Sequence, residues 1–88
     1  MVARRVILAN ATGLHVRPAT LFMEAAGRFQ SAIQVSKGNR TADGKSAISL
    51  MMLEAGLGTE LTIQASGHDE VEAVDALVDL VERKFEAT

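Results

Sequence analysis

Apolar and polar residues alternate along several stretches of this chain, and elsewhere apolar residues recur at steps of three and four. Val2 to Leu8 is rich in β-forming residues and predicts a first strand, its alternation interrupted by Ile7. Ile33 and Val35 alternate with Gln34 and Ser36 in a second strand. Lys37-Gly38-Asn39 supplies the turn into a short polar strand, Arg40-Thr41-Ala42-Asp43, which suits a sheet edge. Leu61, Ile63 and Ala65 alternate with Glu60, Thr62, Gln64 and Ser66, as expected of an antiparallel sheet covered on one face only.

Pro18, Leu21, Phe22, Ala25, Ala26 and Phe29 mark one face of a helix whose last turn is weakened by Gly27. Ser46 precedes an apolar run to Leu53 and reads as the N-cap of a second helix. Val71, Val74, Leu77, Val78, Val81 and Phe85 form the stripe of a third. Asp69, with Glu72 three residues on, predicts a capping box at its start, and Arg83 and Lys84 complement the dipole at its end. The order βαββαβα predicts an α+β fold: an open-faced β-sandwich, a four-stranded antiparallel sheet with three helices on one face.

Eighty-eight residues suffice for one domain, 1–88. No Cys is present, so disulfides are excluded, in keeping with a cytoplasmic protein. Arg4-Arg5 and the apolar run behind it are too short for a signal peptide, and no segment has the length of a membrane span. Net charge is −2, and the three Phe residues are the only aromatics. That leaves neither a basic footprint nor a stacking platform for nucleic acid. A membrane partner is not expected either. Neither His68 nor any other residue has partners at metal-ligand spacing, so no metal or cofactor is expected.

The chemistry concentrates in Gly13-Leu14-His15-Val16-Arg17-Pro18-Ala19-Thr20. Pro18 fits the first turn of a helix, which puts His15 and Arg17 at its N-terminus. Free N–H groups and the positive end of the dipole receive anions there. Neutral imidazole is a nucleophile, and Arg17 offers a fork of donors to phosphate oxygens. A lone His is usually a surface or capping residue; its neighbours shift the balance towards a covalent phosphoryl site.

Gly13 to Ala19 resembles the active-site signature of the HPr family, the histidine phosphocarriers of the bacterial phosphoenolpyruvate:sugar phosphotransferase system. Lys45 to Leu53 resembles that family's regulatory-serine region, and Gly58-Thr59 with Ala65-Ser66-Gly67 its last strand and turn. Val16 replaces the small residue commonest in the family. The resemblance implies a carrier rather than an enzyme. His15 would accept a phosphoryl group from phospho-Enzyme I, on the ring nitrogen nearer the backbone, and donate it to IIA domains of sugar transporters. Arg17 would then contact phosphate and partner.

The resemblance also makes Ser46 a candidate phosphoserine, the target of an HPr kinase/phosphorylase in some relatives. The second helix is more apolar than one buried face can accommodate. Leu50 and Leu53 are expected in the core, while Ile48 and Met51, with Ala47 and Pro18, are expected to form a partner-docking patch. The acting form is expected to be a monomer. Two other functions compete: a nitrogen-branch (NPr-type) phosphocarrier, and a non-covalent regulatory module. The intact His15 argues against the second.

Overall fold

The computed structural model describes residues 1–86. Its elements are β1 (Val2–Ile7), α1 (Val16–Ala26), β2 (Ala32–Lys37), β3 (Arg40–Asp43), α2 (Ala47–Met51), β4 (Glu60–Ser66) and α3 (Glu70–Glu82). The strands form one antiparallel sheet in the order β1-β4-β2-β3. Register puts Val6 opposite Leu61, Ile63 opposite Val35, and Val35 opposite Ala42. Side chains of one strand point alternately to the two faces, so these residues share the inner face, and all are buried. The three helices cover that face, and Phe22, Leu50, Leu53, Leu77 and Val81 complete the core.

Between β2 and β3 the turn is the two residues Gly38-Asn39, with Gly38 at φ +59°. Behind it, Lys37 Nζ donates to the carbonyls of Leu53 and Glu54, both at 3.1 Å, and Arg40 Nη1 meets Glu54 Oε1 at 3.3 Å. Two cations thereby hold the carbonyl end of α2, where the helix dipole is negative. Residues 53–54 are thus fixed from the hairpin side, which matters for the site.

Several expectations need correction. Asp69 stands at the N-cap position of α3 but makes no side-chain cap hydrogen bond, so the capping box with Glu72 does not form. Its carboxylate instead accepts from Gln30 N–H (2.8 Å), Ser31 N–H (2.9 Å) and the Ser31 hydroxyl. Glu70 rather than Glu72 turns back to the loop, accepting from Gly67 N–H at 3.1 Å and pairing with the Met1 amino group at 3.0 Å. Both contacts lower its carboxyl pKa, the Gly67 hydrogen bond most. Val71 is exposed, not part of the buried stripe.

The helix ends also differ. Phe29 lies beyond the end of α1 and is only partly buried against the core. The last turn of α3 contains no basic residue: Arg83 is its C-cap, and Lys84 and Phe85 follow with φ of 58° and 60°. Phe85 does reach the core, but from this turn rather than from the helix. β1 ends at Ile7; Leu8 is buried and continues the pairing through Leu8 N–H to the Thr59 carbonyl at 2.9 Å.

Candidate functional site

The loop after β1 is built to present one residue. Asn10 Nδ2 donates to the Gly13 carbonyl (2.8 Å), and Gly13 N–H returns to the Asn10 carbonyl (3.2 Å). Gly13 has φ +63°, and a Cβ there would lie 2.3 Å from the Ala55 carbonyl oxygen. Only glycine fits both the angle and the space. Leu14 is buried, and its N–H donates to the same Ala55 carbonyl at 2.9 Å. The two residues before His15 are therefore pinned to residues 55–56, which follow the segment held by Lys37 and Arg40.

His15 is the N-cap of α1, in extended conformation (φ −77°, ψ −174°). Its carbonyl accepts from Ala19 N–H at 2.9 Å, while its imidazole makes no cap hydrogen bond and is exposed. The N–H groups of Val16 and Arg17 belong to the first turn and have no acceptor within the helix. Pro18 occupies the third helical position, where its missing N–H removes no intrahelical bond. It is buried, so it offers a partner little surface. Thr20 Oγ1 donates to the Val16 carbonyl at 2.8 Å and tightens the turn.

Two grooves meet at His15. One is lined by Arg17, Asn10 and Thr12 and closed by Lys84 and Glu86. The other runs past Met51, Glu54 and Ala55. An exposed nucleophilic ring, two first-turn N–H groups and an arginine on one rim suit a tetrahedral anion bonded to the imidazole. His68 precedes α3, whereas the groove meets the other end of that helix. Thirteen residues separate the two ends, about 20 Å. Among the described residues no group of His, Cys, Asp or Glu is placed to hold a metal ion.

Ser46 is the N-cap of α2, and its Oγ accepts from Ser49 N–H at 3.2 Å. Leu50 and Leu53 are buried as expected, and Ile48 is 70% exposed. Met51 differs from expectation: it packs partly buried against the core, as does Ala47, and of the two methionines here the exposed one is Met52, at 69%. Val16 adds another exposed apolar side chain beside His15. Sequence reasoning missed Met52, the supporting cations Lys37 and Arg40, and Lys84 and Glu86 in the groove. A signal existed only for the cations, which flank a turn and precede a helix end that needs them.

Residues 2–83 match the family model of the PTS HPr component phosphorylation site. The chain is 39% identical over 85 residues to the phosphocarrier protein HPr of Cupriavidus necator, covering 97% of this chain and 96% of that one. Its structure resembles that of HPr from Thermoanaerobacter tengcongensis, with a TM-score of 0.94, 43% identity and full coverage of both chains. It also resembles Crh, the Bacillus subtilis catabolite repression protein, solved as a swapped dimer. That match has a TM-score of 0.77 at 39% identity, covering 96% of this chain and 97% of that one. Among the described residues no helix is long and apolar enough to cross a membrane.

Proposed function

The chain belongs to the HPr family of phosphocarriers of the phosphotransferase system, and from that premise we propose that His15 is its phosphoryl acceptor. The protein is a carrier, not a catalyst. The observation that carries the assignment is the His15 imidazole itself: exposed, free of any cap hydrogen bond, and set at the N-terminus of α1 beside Arg17. In the transfer, the lone pair of a His15 ring nitrogen, Nδ1 in our reading, forms the new N–P bond. The donor's bond to phosphorus breaks, and its electron pair returns to the donor. The first-turn N–H groups and Arg17 meet the oxygens that carry the charge.

The donor in this reading is phospho-Enzyme I and the acceptors are IIA domains, which place the protein in the cytoplasm. Residues 1–88 act as one unit in this reading, and the acting form is a monomer. Ile48 and Met52, with the rim of Met51 and Val16, are the surface on which partners dock. Ser46 is the point at which a second phosphate would regulate docking, since it caps α2 two residues before the exposed Ile48. Incubation with Enzyme I and phosphoenolpyruvate, followed by intact mass, tests the reading. Wild type should gain one acid-labile phosphoryl group and His15→Ala none; equal labelling of the two would overturn it.

A further inference from the structure

We propose that Lys84 binds the phosphoryl group carried on His15, as a second cation lining the groove with Arg17. The proposal rests on the acceptor reading above and adds the end of α3 to the site. Lys84 and Glu86 line the same groove as His15 and Arg17. Nothing in the first 80 residues brings them there; the turn after α3 does.

That turn is costly. Lys84 and Phe85 both adopt left-handed φ, 58° and 60°, although neither is glycine. Each such residue is disfavoured by steric contact of its Cβ, and persists only where its surroundings enforce it. Burial of Phe85 supplies the enforcement, with Lys84 N–H on the Val81 carbonyl and Phe85 N–H on the Leu80 carbonyl, both at 2.9 Å. The chain leaves the helix axis there, and Lys84 and Glu86 come to flank the His15 groove.

Charge points the same way. Arg83 pairs with Asp79 (3.0 Å), Arg4 with Asp75 (3.0 Å), and Lys45 donates to the Phe29 carbonyl (2.8 Å). Among the described residues the side chains of Lys84 and Arg17 have no hydrogen-bond or ion-pair partner, and both line the groove. Glu86 brings one carboxylate to the same groove. A phosphoryl group, with a charge of about −1.5 to −2, competes for the two cations better than one carboxylate. A flexible ammonium acts on phosphate as a point charge, complementing the planar fork of Arg17.

The test compares wild type, Lys84→Asn and Lys84→Arg, each charged with Enzyme I and phosphoenolpyruvate. Asn removes the charge yet tolerates a left-handed backbone. Phosphorus NMR then follows the titration of the bound phosphoryl group, and its partition between Enzyme I and carrier is measured alongside. Lys84→Asn should still charge on His15, but its phosphoryl group should titrate about 0.2–0.7 pH unit higher, the size of one exposed ion pair. Partition towards the carrier should fall by up to about fivefold. Lys84→Arg should restore both. Unchanged titration and partition in Lys84→Asn, with His15 charged, would overturn the role of Lys84 and leave the acceptor intact. Changes that Lys84→Arg fails to restore would make Lys84 structural and also overturn it. A wild type uncharged at His15 would overturn the acceptor reading and this proposal together.

Discussion

Asp69 Oδ1 accepts both the backbone N–H (2.9 Å) and the hydroxyl of buried Ser31, clamping the start of α3 to the loop between α1 and β2. The Ser31 hydroxyl, then the Gln30 N–H, lower its carboxyl pKa from 3.8 to about 2. A depressed carboxyl stabilises the fold at pH above its unfolded value and loses that contribution as pH falls through its folded value. The wild-type melting temperature should therefore drop between about pH 4 and pH 2. Asp69→Asn should melt several degrees lower at neutral pH and lack most of that acid-dependent fall. Thermal melts across this range check it; parallel curves for the two proteins would remove Asp69 from the account.

Gly13 holds the loop before His15 against residues 55–56. Gly13→Ala adds a Cβ that would sit 2.3 Å from the Ala55 oxygen at φ +63°. The variant should lose about 1–3 kcal/mol in urea unfolding. It should also charge more slowly than its folded fraction alone explains, because His15 loses its support.

The alternation of Leu61, Ile63 and Ala65 made the sheet legible because a one-sided sheet imposes period two on its central strand. His15 and Arg17 were legible because the motif is local: turn, N-cap and first helical turn are contiguous. Asp69 was not, since its partners lie 38 and 39 residues away and outcompete the local cap. The exposure of Met52 rather than Met51 escaped because α2 has five residues, too few for periodicity to define a face. Lys84 and Glu86 escaped because a left-handed turn, enforced by burial of Phe85, carries them to a groove whose other residues lie more than sixty positions earlier.

Arg17→Ala should slow phosphoryl transfer on the order of ten- to a hundredfold, the loss of one charge-assisted contact. Its melting temperature should stay within a degree or two, because Arg17 is exposed. Rapid-quench transfer kinetics and a thermal melt decide it. An unchanged rate with a collapsed melting temperature would make Arg17 structural.

Ser46 separates stability from function. Ser46→Ala removes the acceptor for Ser49 N–H and should cost about 1 kcal/mol. Ser46→Asp keeps a cap and favours the α2 dipole, so stability should hold. Its added charge near the exposed Ile48 and Met52 should repel an acidic partner surface and slow charging of His15. Equal charging of both variants and wild type, with only Ser46→Ala destabilised, would reduce Ser46 to a helix cap.

Nitrogen-15 NMR of the histidine rings, before and after charging by Enzyme I, tests the central claim most directly. The account predicts that phosphorus couples to Nδ1 of His15, that the amides of Val16 and Arg17 shift with it, and that His68 keeps its spectrum. A phosphoryl group on His68 or on a serine, with the His15 ring unchanged, would contradict it.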